Sequence, residues 1–325
     1  MKIKIETHLW TLGSFSERDV PSGYYDDMDV ETKLEIMSKI KGLDALIVFY
    51  PASPLPADPS KLIKMLSNHN LKVGNMYVEC STDRKWKTGA FSSNDDKTRK
   101  ECIKLCKEGI DFSKEIGANS ILLWPAHDGF DYVFQTDYSM NWNYLIETFK
   151  EIGEYDKNVK IAIEPKCKIT RQRQYVSNTG KLMMLINDIG LNNIGGVVDT
   201  GHSFMAQESI AESLAILYAH NKLFQIHLNE NYRDADPDLL FGSINFWENL
   251  EFFYFLNKTN YDGFLNIDIT SPRDDRVKSL ALGIKNILIY KKLAEKLIEH
   301  SEIIDKNLKD NNFVDNMELV EDILF

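Results

Sequence analysis

Four apolar runs in the second half of the chain each end on a side chain that can bind a cation or move a proton. KIAIE ends at Glu164, IGGVVD at Asp199, LFQIH at His227 and FLNID at Asp268. Side chains alternate along a strand, so Ala162 shares a face with Glu164, Val197 with Asp199, Gln225 with His227 and Asn266 with Asp268. Two short motifs extend the set. Asp199-Thr-Gly-His202 places an imidazole one turn past an acid, and Asp236-Pro-Asp238 puts two carboxylates on the loop after the seventh run. Taken singly, each residue has a plainer role, because strand-end acids cap helices and Asp-Pro-Asp suits a turn. Four successive strand ends of ligand type point instead to one shared site. Turned into one cleft, Glu164, Asp199, Asp236, Asp238 and Asp268 bring five negative charges together. Crowded, buried carboxylates must be neutralised or stay protonated. Two divalent cations and Lys166 balance the five. Oxygen-rich sites with a few imidazoles suit Mn2+, Mg2+ or Co2+. The candidate metal ligands are therefore Glu164, Asp199, His202, His227, Asp236, Asp238 and Asp268.

The elements that must position these residues alternate. Short β-branched runs fall at 3–9, 45–49, 71–78, 120–124, 159–164, 194–199, 223–228 and 264–269. Between them, helical periodicity marks 95–116, 142–155, 179–189, 209–219, 246–256 and 277–299, with breakers such as Gly117, Gly190, Gly242 and Pro272. Eight strands alternating with helices predict a (β/α)8 TIM barrel over residues 1–300, followed by a short C-terminal extension. A doubly wound open sheet is the competitor, but TLGSFSERD after the first strand is not the Gly-rich phosphate turn such a sheet carries. In a barrel, the C-terminal strand ends form the active-site face. By the same parity, His8 and Trp10 share a face of the first strand. Residues 301–325 are acidic and partly apolar, which reads either as a frayed tail or as an arm for a neighbouring subunit.

The chain has 325 residues, is 43% hydrophobic and 27% charged, and carries a net charge of −11. This is a chain that buries a core, with an acidic surface that argues against nucleic acid as a partner. No apolar run reaches the roughly 18 residues of a membrane span, and the opening residues lack a signal peptide's apolar stretch. No membrane association and a cytoplasmic location are the expectation. Cys80, Cys102, Cys106 and Cys167 sit at neither zinc-knuckle nor paired-bridge spacings. Arg84-Lys85-Trp86-Lys87 reads as a solvated loop, with an alternative in which Trp86 reaches a neighbouring subunit's pocket.

The motifs together resemble the xylose isomerases. That resemblance is carried by Leu9-Trp10-Thr11, by Gly89-Ala90-Phe91-Ser92-Ser93-Asn94-Asp95, by Trp124, and by Glu164-Pro165-Lys166. Further on it is carried by Asp199-Thr-Gly-His202-Ser-Phe-Met205-Ala206, by Leu228-Asn229 with Asp236-Pro-Asp238-Leu-Leu-Phe241-Gly242, and by Asp268 with Pro272-Arg273. It implies a divalent-metal aldose–ketose isomerase acting on a monosaccharide by a 1,2-hydride shift, with two cations per subunit. Glu164, Asp199, His227 and Asp268 would hold the first cation. Asp199, His202, Asp236 and Asp238 would hold the second. Lys166, Glu164, Asp268 and His202 are then the candidate catalytic groups. Trp10, His8, Tyr50, Trp124, Lys166 and Asn229 are the candidate substrate contacts. The family also implies a homodimer or homotetramer. Five positions depart from xylose isomerases, among them Ser53, which aligns with the acid partner of their ring-opening histidine, and Ser81, near their pocket phenylalanine. His227 stands where they have aspartate, Asp199 where they usually have glutamate, and Tyr50 aligns with their ring-opening histidine. The Glu, Asp, His, Asp set looks like L-rhamnose isomerase and partly like ketose 3-epimerases, which work through carboxylate acid and base at a single metal. An isomerase poor on stable pyranoses is the expectation, with a 3-epimerase as the alternative. A DNA-cleaving relative of endonuclease IV is disfavoured by the net charge, and a sugar-sensing barrel without turnover is the remaining rival.

Overall fold

In the computed structural model, which describes residues 2–325, eight parallel strands close into a barrel. They are β1 Lys4–Thr7, β2 Ala45–Tyr50, β3 Lys72–Val78, β4 Ile121–Leu123, β5 Ile161–Ile163, β6 Ile194–Asp199, β7 Leu223–Leu228 and β8 Phe264–Ile267. Each pairs with its sequence neighbours, and β8 closes on β1 through Lys4↔Phe264 and Thr7↔Ile267. All eight predicted strands are present, shortened where their polar ends leave the ladder.

The surrounding helices are α1 Val30–Ser38, α2 Pro59–Asn68, α3 Asp96–Ile116, α4 Tyr138–Tyr155, α5 Thr179–Ile189, α6 Thr200–Met205, α7 Ile210–Ala219, α8 Phe246–Asn257 and α9 Arg276–Ile298. Side-chain caps start most of them. Asp29, Asp58, Asp95, Asp137, Asn178, Ser209 and Asp275 each accept from a backbone N–H of the first turn. The sequence pattern missed α1, α2 and α6. The first two each bury a single apolar pair, Leu34 with Met37 and Leu62 with Leu66, and α6 spans under two turns.

The main apolar core lies between barrel and helices, and a smaller inner cluster of Ile47, Tyr77, Leu122, Ala162 and Val197 fills the barrel. Trp86 belongs to the main core of its own chain, with Lys85 over its ring at 4.5 Å. Arg84, Lys85 and Lys87 are exposed, as a solvated stretch would be, and only the alternative is corrected: the tryptophan is not available to a neighbour. Cys80, Cys102 and Cys106 are buried together, with Cys80 and Cys102 sulfurs 3.7 Å apart. Beyond α9, residues 301–325 form α10 Ser301–Asp310 and α11 Phe313–Leu324. Ile304 is buried, Leu319, Val320, Ile323 and Leu324 pack on the core, and Asn316 donates to the Ile304 carbonyl at 3.3 Å. This segment is thus a helical pair laid on its own barrel, where the sequence had left a frayed tail or an arm open. Among the described residues, no helix is long and apolar enough to cross a membrane.

Candidate metal centre

The strand-end residues meet at the mouth. Glu164, Asp199 and His227 are buried, and their ligand atoms lie within 4.8 Å of one another. His227 Nδ1 is 3.0 Å from Glu164 Oε1 and 3.9 Å from Asp199 Oδ2. Asp268 stands beside them, and its Oδ1 is buried without a hydrogen-bond partner. On the far side of Asp199, His202 Nε2 is 3.1 Å from Asp236 Oδ2, and Lys166 Nζ is 2.5 Å from the same oxygen. His202 Nδ1 lies 3.1 Å from the Pro165 carbonyl, an acceptor only, so this nitrogen carries a proton and Nε2 faces Asp236.

Local chain geometry builds this arrangement. Asp199 ends β6 and caps α6, accepting from the His202 N–H at 2.7 Å, which fixes the imidazole one turn on. Gly201 sits where a Cβ would come 1.7 Å from Asn229 Oδ1, so the motif requires glycine for close approach rather than for a turn. The loop carrying Asp236 and Asp238 is pinned at both ends. The Thr270 N–H donates to the Asp238 carbonyl at 2.9 Å, and the buried Glu230 carboxylate accepts from the N–H groups of Gly242 (2.8 Å) and Asn245 (2.9 Å).

The electrostatics are those of a crowded acid cluster. Burial, reinforced by Asp199, pushes Asp268 up to about 7. Burial, then the charges of Asp236 and Asp268, pushes Asp238 well up. Asp199 is raised chiefly by burial. Burial opposes charge on both imidazoles. The carboxylates more than offset it, raising His202 to about 10 through Asp199 and Asp236, and His227 to about 9 through Glu164. Burial works against the Glu164 carboxylate too, but His227 holds it below the usual range. Burial opposes the Lys166 charge, yet Asp236 and Asp238 keep it above the ordinary lysine value. Protons on two imidazoles here do the neutralising that cations would do, and a cation entering the cluster must displace them. The donor set of hard oxygens with imidazole, and the orphaned Asp268 oxygen, fit a divalent ion.

A family model described as "Xylose isomerase-like TIM barrel" matches residues 38–292. The chain belongs to the xylose isomerase-like TIM-barrel family. Among curated members, xylose isomerase of Thermus thermophilus is 25% identical over 319 residues, covering 91% of this chain and 81% of that one. Xylose isomerase of Thermus caldophilus is 25% identical over 272 residues, covering 78% and 69%. Among solved structures, a xylose isomerase domain protein from Alicyclobacillus acidocaldarius superposes with a TM-score of 0.67 at 16% identity, covering 90% of this chain and all of that one. An L-ribulose 3-epimerase superposes with a TM-score of 0.73 at 16% identity, covering 92% and 98%.

Within this family frame, the candidate sugar contacts divide. His8 and Trp10 rings are 4.9 Å apart at the mouth, and Trp124 lies under Lys166 Nζ at 5.1 Å. His8 is held neutral, pushed down to about 3 by burial and by His227, and its Nε2 is 2.8 Å from the Asn266 amide. Tyr50 is a correction. Its ring packs on Phe112 of α3 at 5.3 Å, outside the barrel. Strand alternation turns Phe49 inward instead, 5.8 Å from His8 and 6.2 Å from Trp10. Asn229 is a second correction. It is fully buried, and its amide is committed to both Asp199 oxygens at 3.0 and 3.2 Å, so it orients the Asp199 carboxylate rather than facing the mouth. Phe49 was legible from parity along 45–49. The role of Asn229 was not, because it depends on a contact between two strand ends.

Proposed function

We propose that the chain is an aldose–ketose isomerase acting on a monosaccharide with two divalent cations per subunit, Mn2+, Mg2+ or Co2+. The observation that carries this reading is the pair of imidazole–carboxylate groups flanking Asp199, His227 with Glu164 on one side and His202 with Asp236 on the other. Glu164, Asp199, His227 and Asp268 would hold one ion. Asp199, His202, Asp236 and Asp238 would hold the other. Bound cations supply Lewis acidity at the substrate's carbonyl end.

The chain's own residues do the rest. Lys166, cationic and partly desolvated, donates to the oxygen on which negative charge develops as hydride passes between C1 and C2. His202, tied to the Pro165 carbonyl, keeps its Nε2 aimed at the cluster. Trp10, Phe49 and Trp124 offer apolar faces to the sugar's C–H edges and limit water at the reacting carbons. With Tyr50 turned away and Phe49 in its place, the second strand end offers no base for ring opening, which supports a substrate that is readily open-chain. A 3-epimerase is the second reading. It is favoured by one observation, the Asp268 carboxyl at the mouth with its buried Oδ1 left without a hydrogen-bond partner, which suits a group that takes and returns a proton. Exposed Tyr132, Phe134 and Tyr138 after β4 support the further proposal of a homodimer or homotetramer, read by light scattering.

An aldose and ketose panel with each of the three metals tests the function, with product configuration and deuterium content read after turnover in D2O. Ketose free of solvent deuterium supports hydride-shift isomerisation. Ketoses inverted at C3 with deuterium incorporated support the second reading. Sugar binding without turnover refutes both.

A further inference from the structure

The barrel interior beneath the metal centre is polar, and its polar groups form one continuous chain. Glu6 on β1 accepts from the Asn75 N–H at 2.7 Å and from Asn75 Nδ2 at 2.5 Å. Asn75 Oδ1 is thereby left as an acceptor, and it takes Ser120 Oγ at 2.7 Å and Asn119 Nδ2 at 3.2 Å. The Ser120 hydroxyl has spent its proton on Asn75, so its lone pair receives Gln225 Nε2 at 2.8 Å. Gln225 Oε1 then faces His227 Nε2 at 3.1 Å. Glu6, Asn75, Ser120, Gln225 and His227 are all at most 2% exposed.

Every link has a direction, and each direction dictates the next. Once Glu6 is ionised, a carboxylate facing two N–H donors fixes which end of the Asn75 amide points at it. That choice fixes the hydroxyl, the hydroxyl fixes the Gln225 amide, and the amide presents an oxygen to His227. An oxygen can only accept, so His227 Nε2 must carry a proton. Turning any one amide around sets acceptor against acceptor at one end and donor against donor at the other, and such unmade buried hydrogen bonds are costly. The space for the first link is built in, because a Cβ at Gly74 would stand 1.8 Å from Glu6 Oε2.

We propose that Gln225, Ser120 and Asn75, oriented from Glu6, are positioning residues that hold a proton on His227 Nε2, so that Nδ1, which faces Glu164 Oε1 at 3.0 Å, is the nitrogen that turns to a cation. The inference rests on the proposed role of His227 as a cation ligand. It extends that role to four residues that touch neither cation nor sugar. The two imidazoles of the centre are thus set by different means, His202 by one backbone carbonyl and His227 by a side-chain relay that crosses the barrel. Outer partners of ligating histidines typically change metal affinity by 10–100-fold when removed.

The test uses the full-length protein labelled with 15N-histidine. Mn2+ binding is followed by calorimetry, and the His227 ring is read by long-range 1H–15N correlation, both with Mg2+ bound and metal-free. The wild type is expected to show Nε2–H in both spectra. Gln225→Leu should weaken Mn2+ binding at least tenfold and lose the preference for Nε2–H. Ser120→Ala, which leaves every proposed ligand and Gln225 itself in place, should weaken binding by about threefold or more through a freed amide. Gln225→Glu keeps an acceptor against His227 and should retain Nε2–H. Circular dichroism confirms that each variant is folded, and Ser120→Ala stands as the test if Gln225→Leu is not. A wild type without Nε2–H, or Ser120→Ala with both Nε2–H and Mn2+ affinity unchanged, overturns the relay. A wild type that shows Nε2–H but binds no Mn2+ refutes the metal reading while leaving the relay supported.

Discussion

Glu6 is a carboxyl sealed inside the barrel, and its burial should write a specific pH dependence into stability. Burial raises it from 4.5 to about 7, although two Asn75 hydrogen bonds pull the other way. The folded state therefore holds its proton more tightly than the unfolded chain does. Below pH 4.5 the group is neutral in both states and imposes no penalty. As pH rises through 4.5 the unfolded chain ionises first, and folding then has to keep the proton or bury a charge, so stability falls until pH 7. The full loss is about 3 kcal/mol, of which about 2.5 kcal/mol falls between pH 5 and pH 8. The perturbation is Glu6→Gln, which removes the titration. Because both Glu6 oxygens face donors, the new amide nitrogen opposes an N–H, and a pH-independent cost of about 1–3 kcal/mol is expected on top. The assay is chemical denaturation of EDTA-treated wild type and variant at several pH values. All other titrating groups are shared and cancel in the difference. The variant should be the less stable at pH 5, and the gap should close or reverse by pH 8. A stability difference constant over that range would refute the argument.

Three further outcomes follow from contacts at the mouth and in the core. Asn229→Leu withdraws both amide contacts from the buried Asp199 carboxylate and should weaken Mn2+ binding about 10–100-fold by calorimetry; an unchanged isotherm would place Asn229 outside the centre. Phe49→Ala should raise KM for the best sugar about tenfold by removing an apolar face, whereas Tyr50→Phe should change neither KM nor kcat; a large effect of the tyrosine variant would return it to the pocket. The native protein should react with a thiol reagent at Cys167 alone and at all four cysteines after denaturation, since the other three are buried; rapid reaction of more than one thiol would show that the Cys80 cluster opens.

The eight strands were readable because each is a short β-branched run bounded by breakers, and six longer helices because they bury enough positions to show a period. Helices α1 and α2 bury a single apolar pair each, and α6, though wholly buried, spans under two turns. Tyr50 shows where a family alignment parts from physical reading: residue matching placed it in the pocket, while alternation along β2 already turned Phe49 inward.

What the residues alone determined is the chemistry on offer: carboxylates and imidazoles at four strand ends, the Asp199-Thr-Gly-His202 and Asp236-Pro-Asp238 motifs, and a lysine to share their charge. Those are local facts of type and spacing, and strand alternation makes them legible. Only the closed barrel decided which of these groups meet, because contacts between strand ends depend on register and on strands far apart in the chain. The commitment of Asn229 to Asp199, the orphaned oxygen of Asp268 and the chain of hydrogen bonds from Glu6 to His227 are of this second kind. Glu6 and His227 are more than two hundred residues apart in sequence, and only closure of the sheet brings them into one hydrogen-bonded line.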